Sequence, residues 1–290
     1  MSAAVQPVMP ATTEHELVTP RAGRQVLVVC GRALAERWHS LLGWGAAIAL
    51  LSVLQLSVYP SVARSQKSMQ DFLAQYPEGL RQAFGLEDYA TAAGYVHAEL
   101  YSLMVPIVLI SVAVGAGAAA TAGEEEHGTA DLLFSLPVAR GAVLAGKAAA
   151  MVLGVLAVDV VLLLSLVLGS PPVDLHLDTG HLLAATVQVS LLGVMFGALA
   201  LAVGALTGRR GAATGAAIGL ALLAFLVETL GPLADWLQPW QRWSPFHWAL
   251  SNRPLGHGFD TGGVLALAAL TLVLLAAATL LLHRRDLRTT

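Results

Sequence analysis

Long apolar runs separated by short polar segments form the dominant pattern along the chain. An α-helix rises about 1.5 Å per residue, so roughly 20 apolar residues cross the roughly 30 Å hydrocarbon core of a bilayer. Six runs meet this requirement, and they cover residues 40–59, 100–122, 148–168, 182–207, 211–230 and 263–282. The fifth run is strictly apolar only to Val227 and reaches its length by continuing to Leu230. The pattern predicts an all-α polytopic membrane protein with six transmembrane helices.

The segment before the first run has a different pattern. Residues 25–39 place Val26, Val29 and Ala33 at three- to four-residue spacing, with charged side chains alongside. This spacing predicts an amphipathic helix lying in the membrane interface. The alternative is that the segment extends the first span as one continuous helix. Residues 1–24 are largely polar and lack the apolar core of a signal peptide, which predicts a disordered cytoplasmic tail before a single transmembrane domain at 25–288.

The distribution of Lys and Arg predicts the orientation of the spans. Eleven of the 16 basic residues flank the spans on the side of the N-terminus: Arg21, Arg24, Arg32, Arg37, Arg140, Lys147, Arg209, Arg210, Arg284, Arg285 and Arg288. Cytoplasmic segments carry the excess of positive charge in membrane proteins. We therefore expect both termini in the cytoplasm. We expect the chain to be a multi-pass protein of a prokaryotic plasma membrane.

Composition supports a lipid environment and narrows the classes of function. The chain is 56% hydrophobic and only 12% charged, whereas about a quarter of the residues of a soluble domain are charged. The net charge of −3 comes without a basic stripe, so we expect no nucleic-acid partner. Cys30 is the only cysteine, which leaves no disulfide framework and no thiolate metal site.

Small residues recur at four-residue spacing in the fourth and fifth spans. Without side chains, helix backbones approach closely, and packing drives helix association within lipid. The pairs and the triple are Gly193 with Gly197, Gly204 with Gly208, and Gly211 with Gly215 and Gly219. The sequence leaves open whether these glycines face the same chain or a second subunit.

One stretch imitates a nucleotide-binding motif. Residues 141–148, GAVLAGKA, contain the GxxxxGK core of a P-loop, but Ala148 stands where the motif needs a Ser or Thr hydroxyl to hold Mg²⁺. No buried strand precedes the stretch, and a membrane span follows it. We therefore expect no nucleotide site here and no catalytic residue in the chain.

The polar segment before that stretch is better organised. Thr129 is placed to cap a short helix with Asp131 in its first turn. Leu132, Leu133 and Phe134 would give this helix an apolar knob, and Pro137 would start the next long helix. A short helix with exposed leucines below a membrane domain either docks on a partner or lies against the bilayer.

These residues resemble those of the ABC-2 type permeases, the membrane subunits of ABC transporters. The matching residues are Glu124, Glu126, Gly128, Thr129, Leu132 or Leu133, Pro137 and Arg140, followed by Gly146 and Lys147. Residues 77–85, 244–248, 252–258 and 284–287 also resemble segments of that family. The resemblance covers the chain from about residue 25 to 288.

The resemblance implies that two permease subunits, here a homodimer, sit in the bilayer on two copies of a separate ATP-binding subunit. Residues 129–136 would be the coupling helix that enters a groove on that subunit, with Leu132, Leu133 and Phe134 as its contact and Glu124, Glu125, Glu126 and Arg140 as its polar frame. ATP and Mg²⁺ would belong to the partner, and this chain would hold no cofactor. The implied activity is export of a hydrophobic or amphiphilic molecule such as a drug, antibiotic or lipid. Ion efflux and copper-enzyme maturation are family alternatives.

The acidic triplet Glu124–Glu126 admits three interpretations. If the second span continues through it as a helix, three carboxylates lie at the negative helix end and need cationic partners such as Arg140, Lys147 or the ATPase. If Gly123 ends the helix, they cap the next segment. They can also form a solvated acidic loop.

Asp159 is the only charge in the interior of the predicted spans, since Glu228 lies near the end of the fifth. A carboxylate at such depth costs about 3 kcal/mol or more, so it faces away from lipid. It either lines a translocation path or couples ions, or it makes an interhelical hydrogen bond, for example to a serine. The first interpretation admits a rival function, an ATP-independent secondary carrier. Glu99 and Glu228 lie near outer span ends, where interfacial water solvates them.

A short outer loop has alternating ligand-type residues. On an extended strand, Asp174, His176 and Asp178 would share one face and could bind a metal. Short polar loops produce such runs by chance, so we predict no metal site.

Overall fold

The computed structural model describes residues 22–83, 88–89, 91–126 and 140–284. Residues 22, 66, 67, 69, 70, 82, 83, 122–126, 140, 283 and 284 are described by their backbone only. The described residues are helical apart from short turns and contain no strand. The all-α class is confirmed.

Twelve α-helices lie within the described residues. They are α1 (Ala22–Arg64), α2 (Gln66–Leu73), α3 (Glu78–Ala83), α4 (Ala92–Val96), α5 (Met104–Glu126), α6 (Arg140–Gly169), α7 (Thr179–Thr207), α8 (Arg210–Leu230), α9 (Gln238–Gln241), α10 (Pro245–Leu250), α11 (Pro254–His257) and α12 (Thr261–Arg284). A π-helical turn, His97–Tyr101, precedes α5. Six of them, α1, α5, α6, α7, α8 and α12, are long and apolar enough to cross a bilayer.

The six predicted spans lie within these helices, with two differences at their ends. The second begins at Met104 rather than at residue 100, because His97–Tyr101 forms the π-helical turn. The first is longer, since residues 25–39 continue into it as one helix that begins at Ala22. The alternative of a continuous first helix therefore describes this segment, and the separate interfacial helix is not formed. No proline precedes Pro60 in this stretch to interrupt it.

The first and third spans, α1 and α6, run side by side in the same direction. Val26 and Val29 of α1 lie against Gly146, and Gly45 faces Val161 further along. Leu56 lies against Gly169 at the far end. The predicted interfacial segment is thus part of this helix pair.

The second and fourth spans, α5 and α7, form a parallel pair at the centre of the fold. Gly193, Gly197 and Gly204 of α7 face Leu109, Ala113 and Thr121 of α5. In the most apolar stretch of α7, 78% of the residues are buried, whereas the corresponding share is 17% in α8 and 17% in α12. Gly193, Gly197 and Gly204 of the fourth span therefore pack within the same chain.

The glycines of the fifth span behave differently. A Cβ at Gly211, Gly215 or Gly219 of α8 would have no neighbour within 4 Å. The helix packs instead through buried alanines at four-residue spacing, Ala213, Ala217 and Ala221. The glycine triple thus lies on an open face of the chain.

Both described ends of the chain lie at one face, which we call the N-terminal face. The start of α1 packs on Gly146 of α6. Near the other chain end, Ala278 and Leu282 of α12 cluster with Leu144 of α6. The short helices α2–α4 and α9–α11 gather at the other end, the opposite face, where Arg253 pairs with Asp88 at 2.8 Å.

Candidate functional site at the N-terminal face

Most of the predicted coupling residues lie outside the described part of the chain. These are Gly128, Thr129, Asp131, Leu132, Leu133, Phe134 and Pro137. Glu124, Glu125 and Glu126 form the end of α5, and Arg140 begins α6, with only their backbone described. The coupling helix at 129–136 stays a prediction.

The two helix ends that flank this segment are well defined. Helix α5 continues to Glu126, so the acidic triplet lies at a helix end, as in the first of its three interpretations. Lys147 of α6 donates from Nζ to the carbonyl oxygen of Ala120 on α5 at 2.8 Å. A cation near the carboxyl end of a helix is stabilised by the helix dipole. Lys147 therefore joins α5 and α6 close to the segment that connects them.

A second cation holds α5 from the side of α1. Arg37 donates from Nη1 to the carbonyl oxygen of Gly115 at 2.8 Å, in a partly buried position. The sequence pattern placed Arg37 in an amphipathic segment and did not reveal this bond. Glu36 and His39 lie close to Arg37 in the sequence, so the local pattern gave no signal for this bond. Arg37 and Lys147 together tie three spans to one another.

The P-loop imitation is part of the same junction. Helix α6 begins at Arg140, so the whole stretch from Gly141 to Lys147 is helical. Gly146 provides the space for α1, since a Cβ there would lie 2.8 Å from the carbonyl oxygen of Val26 and from the Cβ of Val29. Gly146 and Lys147 therefore make helix contacts.

Asp159 lies between α6 and α7. Its side chain is only 3% exposed, and Ser190 Oγ donates to its Oδ2 at 2.5 Å. Its Oδ1 has no partner among the described residues. One turn from Ser190, Thr186 bonds the hydroxyl of Tyr101 at 2.7 Å. The contact with Ser190 is the interhelical hydrogen bond that the sequence allowed, and a role in a translocation path stays a prediction.

We expect Asp159→Asn to leave folding and transport close to those of the native protein. The amide oxygen of asparagine accepts the same hydrogen bond from Ser190, and a typical hydrogen bond contributes about 1 kcal/mol. Thermal unfolding in detergent and transport in vesicles measure the two properties. A folded Asp159→Asn protein that no longer transports would instead assign a charge-based role to Asp159.

The outer loop that suggested a metal site is used for local structure. Asp178 caps α7 by accepting from the backbone N–H of His181 at 2.8 Å. Asp174 adopts a left-handed conformation with φ 53°, and His176 Nδ1 lies 3.0 Å from its carbonyl oxygen. The extended strand that a metal site required is therefore not formed. The described residues hold no group of three or more His, Cys, Asp or Glu side chains placed to bind a metal ion.

The fold and this junction define a multi-pass α-helical membrane protein whose first three spans are linked at one face. The family model described as ABC-2 family transporter protein matches residues 34–287. The chain belongs to this family, and the resemblance seen in the sequence is confirmed. No curated protein matches the chain. The chain is thus a membrane-embedded transport subunit of the ABC-2 class.

Proposed function

We propose that the chain is the permease subunit of an ATP-driven exporter. Two copies span a prokaryotic plasma membrane with the N-terminal face and both termini in the cytoplasm. Two copies of a separate ATP-binding subunit hold the ATP and Mg²⁺ and hydrolyse the nucleotide. The cargo is a hydrophobic or amphiphilic small molecule.

The hydrogen bonds that link α1 and α6 to α5 are the observation that supports this proposal. The segment of residues 127–139 joins the end of α5 to the start of α6. Lys147 ties those helices together, and Arg37 adds α1. A displacement of the segment by a partner would therefore move three helices as a unit, as coupling to ATP-driven closure requires. The excess of basic residues at this face agrees with a cytoplasmic location.

Reconstitution tests the proposal. The tagged chain is purified from its native membranes together with its ATP-binding subunit and placed in vesicles with the N-terminal face outward. We expect ATP-dependent accumulation of cargo, and none when the ATP-binding subunit carries an inactivating substitution. Accumulation driven by an ion gradient without the ATP-binding subunit would contradict the proposal and would favour the secondary carrier.

A further inference from the structure

A cavity of about 640 Å³ lies at the opposite face. It is lined by the π-helical turn before α5, by the end of α8 and by α10. Two carboxylates line it, Glu99 from the π-helical turn and Glu228 from α8. The volume falls within the range of about 300–1,000 Å³ that small-molecule sites occupy.

Neutral donors hold the carboxylate of Glu99. The hydroxyl of Tyr89 donates to Oε1 at 2.6 Å, and Gln55 Nε2 donates to Oε2 at 3.1 Å. Burial first, and then the hydrogen bond to Glu99, raise the pKa of Tyr89, so its phenol keeps the proton that it donates. Burial and the charge of Glu99 likewise raise the pKa of Tyr95 to about 12. Tyr89 and Gln55 therefore fix the carboxylate of Glu99 without cancelling its charge.

The nearby basic groups leave the cavity negative. Arg253 lines it, but its Nη1 is paired with Asp88 Oδ2 at 2.8 Å. His247 Nδ1 lies 3.1 Å from Glu228 Oε1. His97 also lines the cavity with a side chain only 9% exposed; burial lowers its pKa, so the ring stays neutral, and its Nδ1 has no hydrogen-bond partner among the described residues. The charge of Glu99 is therefore not balanced within the cavity wall.

Much of the remaining wall is apolar and partly aromatic, although the neutral polar residues Ser102, Thr229, Gln241 and Ser251 also line it. Leu103, Met104 and Leu250 line it. Phe225 and Phe246 meet edge to face with their ring centroids 5.6 Å apart. Aromatic faces attract cations, most strongly where water is excluded. Apolar and aromatic surface beside the unbalanced carboxylate of Glu99 fits a molecule with an apolar body and a positive charge.

We propose that this cavity binds amphiphilic organic cations. This inference names a class of cargo for the proposed function. The claim that the bound cations are exported rests on that proposed function. Binding itself needs no ATP-binding subunit, so it can be measured on the purified chain alone.

Two ions of nearly equal size and opposite charge test the inference. Equilibrium dialysis in a neutral detergent measures the binding of tetraphenylphosphonium and of tetraphenylborate to the chain. We expect tetraphenylphosphonium to bind and tetraphenylborate not to bind. Glu99→Gln should raise the Kd of tetraphenylphosphonium by about tenfold or more, since a charge several ångströms away contributes at least this much in a partly buried site. Asp235→Asn, which removes an exposed acid outside the cavity wall, should leave the Kd unchanged.

Equal Kd values for the native chain and Glu99→Gln, or equally tight binding of tetraphenylborate, would overturn the inference. Glutamine keeps an oxygen that accepts from Tyr89, and thermal unfolding shows whether the variant is folded. If it is not, Glu228→Gln carries the same comparison.

ATP-dependent export of a different cargo by a chain that does not bind tetraphenylphosphonium would overturn this inference alone. Binding without any ATP-dependent transport would support the cavity and contradict the proposed function.

The pH dependence gives an independent check through His247. Its hydrogen bond to Glu228 is the main cause that raises its pKa above the ordinary value of 6.5, and Asp260 adds to the rise. Glu99 and Arg253 are the other charged groups of the cavity wall. As pH falls through this raised pKa, His247 gains a positive charge, so binding of tetraphenylphosphonium should weaken. His247→Gln should remove that change, and a native profile that is flat with pH would contradict the inference.

Discussion

Replacing Gly117 with leucine is expected to abolish stable folding of the membrane domain. Gly117 of α5 faces α7, and a Cβ at this position would overlap the carbonyl oxygen of Gly197. Overpacking costs about 1–3 kcal/mol where neighbouring side chains can shift. Here the obstacle is backbone, so the two central helices would have to separate. Thermal unfolding and the monodisperse fraction in detergent measure the loss.

Gly215→Leu is the matched control for this prediction. It makes the same change in another long helix, α8, where a Cβ would meet nothing within 4 Å. We expect this variant to unfold close to the native temperature as an isolated chain. If Gly117→Leu and Gly215→Leu unfold at the same temperature, the close approach of α5 and α7 is wrong.

The contrast between these two glycines shows where sequence reasoning ends. Apolar run length predicted all six spans, because the bilayer sets the length of a helix whatever it packs against. It did not predict helix pairing. Gly193 with Gly197 and Gly211 with Gly215 have the same spacing, yet the first pair is buried against α5 and the second lies open. Such a face acquires its role only from the helix that contacts it.

The first helix illustrates the same limit. Residues 25–39 have a spacing that suits both an interfacial helix and an extension of the first span. In the continuous helix, this segment packs against two other spans. Val26 and Val29 contact Gly146, and Arg37 binds the carbonyl oxygen of Gly115. These partners are distant in sequence, so no local pattern points to them.

For a similar reason, the sequence allowed the contact of Asp159 to be predicted but not the cavity with Glu99 and Glu228. The interhelical hydrogen bond of Asp159 was among the alternatives, because a buried carboxyl needs a partner and serines are frequent in the spans. The cavity with Glu99 and Glu228 was not foreseen, since each acid lies near a span end where water would solvate it. Only the packing of α8 and α10 beside the π-helical turn brings the two acids to one wall.

Changing Leu132 or Leu133 to aspartate is expected to uncouple ATP hydrolysis from transport. In the proposed complex these leucines enter an apolar groove of the ATP-binding subunit, and a buried carboxylate without a partner is strongly unfavourable there. Central interface residues contribute about 2 kcal/mol or more, which corresponds to a loss of roughly 30-fold in affinity. ATP-dependent transport in vesicles should fall accordingly, and cargo should no longer stimulate hydrolysis. The structural reason is that residues 127–139 connect α5 and α6, which Lys147 and Arg37 join to α1.

Two control variants distinguish loss of the docking contact from loss of folding. Leu132→Met keeps an apolar side chain of similar size and should preserve coupling. Leu27→Asp places the same new charge at the start of α1, where Leu27 is 73% exposed at the same face, and should also preserve it. Thermal unfolding of the isolated chain shows that each variant is folded. Normal coupling in folded Leu132→Asp and Leu133→Asp proteins would place the contact with the ATP-binding subunit elsewhere. The ties that Arg37 and Lys147 make to α5 would then serve the packing of the domain alone.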